Sequence, residues 1–160
     1  MANIIPEQVK LLLTVRTFNP EARKRLLAAI EREAKGEAVA ANAPKEPLVE
    51  VKAGTDAVNN DPELTRQMAA VLRTALGAQN VVEMPAEMTS EDFSQYGLAG
   101  VRAVLLHIGA VDPAKLEAAH QSGVRLPGLH TPQWAPEREP TRKAAITAET
   151  AALLDLLKSE

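Results

Sequence analysis

Residues 59–64 read Asn-Asn-Asp-Pro-Glu-Leu, and this stretch is the clearest helix start in the chain. Asp61 is a favoured N-cap, Pro62 suits the first helical position, and the glutamate after it complements the positive end of the helix dipole. Apolar residues follow at helical spacing until Gly77, which predicts a helix that ends at this glycine. We place a domain boundary just before this start, near Val58.

The residues before this boundary predict a strand, a helix and a second strand. Apolar and polar residues alternate over 7–18, and a shorter alternation covers 48–53, which is the period of a sheet with one face in a core. Between them, Asn19-Pro20 supplies a cap and a first-turn proline for a helix that either ends at Gly36 or continues through the alanines after it. Two strands and one helix cover each other poorly, so 1–58 predicts half of a larger α+β sandwich.

The residues after the boundary predict helices that alternate with strands. Short strands are expected at 81–84 and 101–109, and the second of these is apolar at nearly every position, as in a strand covered on both faces. Helices are expected at 113–121 and, with its leucines turned inward, at 141–158. This alternation predicts an α/β fold class for 59–160.

Composition excludes several classes of protein. The 160 residues carry a net charge of −3, and their basic residues are dispersed among acids, which argues against a nucleic-acid surface. The absence of cysteine rules out disulfides and thiolate metal ligands. No run approaches the ~18 apolar residues of a membrane span. The compartment is left open.

His130 is the residue that most suggests a metal, and it lies in the loop sequence Gly-Leu-His-Thr-Pro. A zinc site needs three or four protein ligands, yet the chain has three histidines, each in a different context, and no cysteine. The chain is therefore interpreted as one part of a metalloenzyme. Without further information, an ordinary hydrogen-bonding or surface histidine is the competing interpretation.

Two further groups of polar residues are candidates for a site. Ser90, Glu91 and Asp92 follow Thr89 at the start of a short predicted helix, where a hydroxyl cap and acids have a structural explanation of their own. Asn3 and Arg16 place an amide and a guanidinium near the first predicted strand. Such a guanidinium suits a substrate carboxylate, or alternatively pairs with a neighbouring acid.

Four motifs in order resemble the C-terminal part of the metal-dependent amidohydrolases related to hippurate hydrolase, zinc aminoacylases and carboxypeptidases. The motifs are Ala-Asn-Ile-Ile-Pro with Thr-Val-Arg-Thr-Phe, Val-Asn-Asn-Asp-Pro-Glu-Leu, Met-Thr-Ser-Glu-Asp-Phe-Ser and Leu-His-Thr-Pro, which occupy residues 2–18, 58–64, 88–94 and 129–132. The family's early Cys/His-Asp ligand motif, its paired glutamates and the lid's own histidine have no counterpart in this sequence. Thr89 stands where a glycine is common, and Trp134 where phenylalanine is common.

The resemblance implies different roles for the two parts of the chain. Residues 1–58 would form the second half of a ferredoxin-like lid and dimerisation domain, and 59–160 the closing portion of the catalytic domain. His130 would be a metal ligand, most simply for zinc, and Asn3 with Arg16 would grip the substrate carboxylate. Ser90–Asp92 would lie on a loop beside the metals.

In the complete family enzyme, two cations would polarise the scissile carbonyl and activate a bridging water, while a glutamate moves the proton. This chain lacks that glutamate and most ligands. We therefore expect cleavage of an N-acyl-amino-acid or peptide amide bond only when a complementing N-terminal half is supplied, and no stable metal binding by the chain alone. A homodimer is also expected. The alternative is a non-catalytic interaction or dimerisation module derived from the family.

Overall fold

The computed structural model describes residues 6–158, and all regular elements within that range are helical. They are α1 (Pro20–Ala40), α2 (Pro62–Leu76), α3 (Ser94–Leu98), α4 (Pro113–Ser122) and α5 (Arg138–Leu156), with one 3-10 turn at Ala78–Asn80. None of the helices in that range is both long and apolar enough to cross a membrane.

The chain divides into two compact units. The first comprises the residues up to Asn59 together with Ala86–Ala99, and the second comprises Asn60–Pro85 with the residues from Gly100 onward. The segment Ala86–Ala99 therefore belongs with the N-terminal unit, although it comes after residue 59 in the sequence. Assignment of 1–58 to a lid and of 59–160 to a catalytic domain stays a prediction.

The predicted α/β fold, with half of a ferredoxin-like lid at its start, is wrong. Between residues 6 and 158 the structure contains no strand, so the four segments 7–18, 48–53, 81–84 and 101–109 form no sheet. Alternation fixes only which side of an extended segment would be apolar, whereas a sheet also requires a neighbouring strand to complete the backbone hydrogen bonds. Leu11 and Leu13 are accordingly 81% and 69% exposed.

Helix α1 begins as its sequence predicts. Asn19 is the N-cap, and its side-chain Oδ1 accepts a hydrogen bond of 2.7 Å from the backbone N–H of Ala22. The helix passes through Gly36 and ends at Ala40, so the alanines after that glycine continue it. Asn42 follows in the left-handed region at φ 50°, which is a common way to terminate a helix.

Helix α2 confirms the prediction at both ends. Asp61 is its N-cap, Pro62 its first residue and Gly77 its C-cap, with φ 91°. A side chain is strained at such a positive φ, and a Cβ at position 77 would also come within 2.9 Å of the Gln79 side chain. The positive φ therefore favours glycine where the chain leaves the helix, and the Gln79 side chain would have to move for any other residue.

The core of the second unit lies where α2 packs against α5. Met68 and Leu72 on α2 are buried at 4% and 6% exposure, and Ala148 on α5 is buried at 3%. The prediction that the leucines of α5 face inward is wrong, because the helix turns its alanines toward α2. The large residues predicted to face inward are exposed, namely Ile146, Leu153 and Leu154 on α5 and Leu157 just after its end.

The two remaining helices are short. Helix α4 matches its prediction, with Asp112 accepting hydrogen bonds from the backbone N–H groups of Ala114 and Lys115 and Gly123 closing it at φ 68°. Helix α3 begins at Ser94 with no side-chain cap, so the expected cap from Thr89 or Ser90 is wrong.

Candidate functional site

The loop that carries His130 consists of two consecutive turns in the second unit. The hydroxyl of Thr131 donates a hydrogen bond of 2.9 Å to the carbonyl of Gly128, which closes the first turn around Leu129 and His130. The backbone N–H of Trp134 then donates to the carbonyl of Thr131 at 3.1 Å, which closes the second. Thr131 is therefore the residue that both turns share.

His130 occupies an unusual backbone conformation in this loop. Its φ is 66°, in the left-handed region that few non-glycine residues adopt, although asparagine, aspartate and histidine do so more often than the others. His130 is exposed, and Leu129 beside it is 64% exposed. The other two histidines, His107 and His120, are exposed as well.

The described residues do not by themselves fit a two-metal centre. No group of three or more histidine, cysteine, aspartate or glutamate side chains within residues 6–158 is arranged so that it could hold a metal ion. A stable zinc site takes three or four such ligands, so His130 offers one donor of the number required. No reaction step through a metal follows from this arrangement.

Ser90, Glu91 and Asp92 lie together in the first unit on the segment that precedes α3. The Ser90 hydroxyl is 2.9 Å from the hydroxyl of Thr55, and this contact joins the segment to the stretch after position 48. The three side chains are exposed, with Glu91 and Asp92 next to the turn from which α3 begins. The contact with Thr55 was missed, because nothing local in the sequence predicts a pairing 35 residues away.

Of Asn3 and Arg16, the two residues expected to bind a substrate carboxylate, Arg16 is the one within the described range. Arg16 lies in the first unit, outside any helix, and is exposed. Asn3 lies outside the described residues. The proposed roles of both residues, and those of Ser90, Glu91, Asp92 and His130, stay predictions.

A set of polar contacts anchors the start of α2 to the segment 102–105 in the second unit. The Asn60 side chain donates to the carbonyl of Leu105 at 3.0 Å and accepts from its N–H at 2.9 Å. The N–H of Asp61 donates to the carbonyl of Ala103 at 3.0 Å. The segment expected to be a covered strand therefore uses its backbone to hold the start of a helix.

Asp61 has the densest set of hydrogen bonds in this anchor. Its Oδ1 accepts from the backbone N–H of Leu64 at 2.7 Å and from Nε and Nη2 of Arg102 at 3.2 and 3.0 Å. The hydrogen bond from Leu64 and then that from Arg102 lower the pKa of Asp61 below its ordinary value. The cap was predicted from sequence, but Arg102 was not.

Comparison with known proteins finds a distant likeness to a hydrolase. No protein-family model matches the chain. A protein of Sinorhizobium fredii (strain NBRC 101917 / NGR234) named "Uncharacterized hydrolase y4tI" is 30% identical over 147 residues. The match covers 90% of this chain and 33% of that protein, so the chain spans about one third of the length of the curated relative it matches. This likeness supports a relation to a hydrolase, without a substrate or a bond type.

Proposed function

We propose that this chain is the C-terminal portion of a metal-dependent amidohydrolase or peptidase that cleaves N-acyl-amino-acid or peptide amide bonds. The observation that carries the proposal is the match of 90% of the chain to one third of a protein named a hydrolase. The four ordered motifs that resemble the amidohydrolases add the bond type and the candidate residues. Both the substrate class and the metal, which we propose to be zinc, rest on that resemblance.

The chain would contribute binding groups rather than a complete centre. His130 would supply one metal ligand, Arg16 and Asn3 would bind the substrate carboxylate, and Ser90–Asp92 would border the site. Since the described residues lack a group of three ligands, we propose that the remaining ligands and the general base come from a second polypeptide. The chain alone would then hydrolyse no amide bond.

The first experiment measures the purified chain alone. With zinc present, we expect no release of amino acid from a panel of N-acyl amino acids, and calorimetry should detect no sub-micromolar zinc site. Amide cleavage by the chain alone would contradict the proposal that it is inactive without a second polypeptide. Tight zinc binding by the chain alone would contradict the proposal that it holds too few metal ligands.

The second experiment supplies the missing part. The portion of the Sinorhizobium fredii protein outside the matched third is co-expressed with this chain, and hydrolysis of the same panel is measured. We expect activity that His130→Ala abolishes and that His120→Ala, a change at another exposed histidine of the second unit, leaves intact. Activity insensitive to His130→Ala would remove that residue from the site, and absence of hydrolysis in every combination would count against the hydrolase proposal.

A non-catalytic interaction module is the second candidate, and the surface of α5 favours it. The exposed fractions are 64% and 57% for Ile146 and Leu153 on α5 and 77% for Leu157 at its C-cap. Exposed apolar residues grouped in this way are common at protein–protein interfaces. Light scattering tests the exposed surface of α5: the module predicts a defined dimer that Leu153→Glu dissociates, and a monomer at all concentrations contradicts it. The hydrolase family also predicts a homodimer, so hydrolysis in the second experiment is the result that distinguishes the two candidates.

A further inference from the structure

The left-handed conformation of His130 is the feature that calls for an explanation. A non-glycine residue at φ 66° carries a backbone cost of order 1–3 kcal/mol, and such residues persist where surrounding contacts hold them, often at functional sites. The second residue of this kind in the described range, Asn42 at φ 50°, terminates α1. His130 terminates no helix, since it lies in the loop between α4 and α5.

The contacts that hold His130 converge on its neighbour. Gly128 and Thr131 are the first and last residues of the turn, which places His130 third, where a type II turn needs a positive φ. The Thr131 hydroxyl spans this turn and donates to the Gly128 carbonyl at 2.9 Å. The Thr131 carbonyl also accepts the N–H of Trp134, and Pro132 favours that second turn. Thr131 is thereby fixed on both sides.

We infer that Thr131 is a positioning residue whose hydroxyl holds His130 in the left-handed conformation and so sets where the imidazole is presented. The value of that placement for catalysis rests on the function proposed above, whereas the conformational statement does not. Nothing in the loop sequence alone singles out the hydroxyl, because a threonine before proline is ordinary in loops.

The test compares Thr131→Val, which removes the hydroxyl, with Thr131→Ser, which keeps it. The isotope-labelled 160-residue chain is studied by NMR, with the Cα and Cβ chemical shifts and the amide order parameter of His130 as readouts. We expect an order parameter near 0.85 in the parent chain and in Thr131→Ser, falling below about 0.6 in Thr131→Val. The control is Thr74→Val, which removes a hydroxyl-to-carbonyl bond of 3.1 Å on α2 and should leave His130 unchanged.

The outcomes separate this inference from the proposed function. Unchanged His130 shifts in Thr131→Val would overturn the positioning role, and equal loss in both Thr131 variants would do the same. Circular dichroism checks that the helices persist.

In the reconstituted hydrolase, Thr131→Val should lower kcat at least tenfold, and Thr131→Ser should keep kcat near that of the parent chain. If reconstitution fails while the NMR shifts move as expected, the positioning role stands and the proposed activity falls.

Discussion

The start of α2 and the loop at 128–134 both depend on a few polar contacts within the second unit, but they use them differently. At the start of α2, the contacts of Asn60 and Asp61 join positions more than 40 residues apart in the sequence. In the loop, the bonds of Thr131 span three residues each. Long-range contacts hold the unit together, whereas short-range ones fix a local conformation. Substitutions at the start of α2 should therefore destabilise the whole unit, whereas substitutions in the loop should change the position of one side chain.

The largest effect is expected where α2 meets α5. Leu72→Ala removes a side chain that is 6% exposed, and the missing apolar packing plus the cavity left behind should lower the free energy of unfolding by about 2–5 kcal/mol. Urea denaturation followed by circular dichroism measures it. The control is Leu154→Ala on α5, where the side chain is 64% exposed and the change should stay within about 0.5 kcal/mol. Similar destabilisation by both variants would contradict the packing described for α2.

The next effect tests the anchor of α2 directly. Asp61→Ala removes both the cap of Leu64 and the partner of Arg102, so the urea midpoint should fall clearly. Asp61→Asn keeps a capping oxygen and loses the charge, and its midpoint should lie between those of the parent and Asp61→Ala. As a control, Asp56→Ala removes a single ion pair with Arg23 at 3.5 Å and should shift the midpoint little. A lower midpoint for Asp61→Asn than for Asp61→Ala would refute the capping role.

Acid should weaken the second unit through two carboxylates. Hydrogen bonding lowers the pKa of Asp61, mainly from Leu64 and then Arg102, and the pKa of Asp155, mainly from Lys158 and then Gln67. A folded-state pKa below the ordinary value of about 3.9 gives stability that is present above that value and lost as the pH falls through the folded pKa. Urea midpoints from pH 6 to 2.5 should therefore decline below about pH 4. In Asp61→Asn the decline should be smaller, and an equal decline would contradict this cause.

The smallest effect lies in the loop. Glycine adopts positive φ freely and alanine does not, so His130→Gly should exceed His130→Ala in stability by about 1 kcal/mol, at the lower end of the cost of the left-handed conformation. Thermal denaturation of the two variants measures the difference. At Ala103, whose φ is not positive, the substitution Ala103→Gly should destabilise instead. Greater stability of His130→Ala over His130→Gly would show that the left-handed conformation is absent in solution.

Local chemistry in the sequence predicts the helices of this protein well. Caps, first-turn prolines and terminal glycines act within a few residues, which is why both ends of α2 and the start of α1 could be predicted. The strands were wrong because pairing depends on a distant neighbour that alternation cannot reveal. The inward face of α5 was wrong for a related reason, since leucines and alanines compete for the contact with α2 and only the assembled helices decide between them.

The candidate site shows the same limit. His130 could be selected from its residue type and loop context, but its φ and the hydroxyl that accounts for it emerge only from the folded loop. Arg102 was missed because its contact with Asp61 spans 41 residues. Candidate ligand and binding residues can thus be chosen from the sequence, whereas the contacts that hold them in place are seen only in the structure.

The alanine face that α5 turns toward α2 has a thermal consequence. Ala148 and its small neighbours bring little apolar area out of water, and unfolding therefore exposes little. The heat capacity change and the melting enthalpy of unfolding both grow with the protein area that becomes hydrated. Calorimetry of this chain should record a shallow, broad endotherm, in which heating loosens the helix pair gradually over tens of degrees.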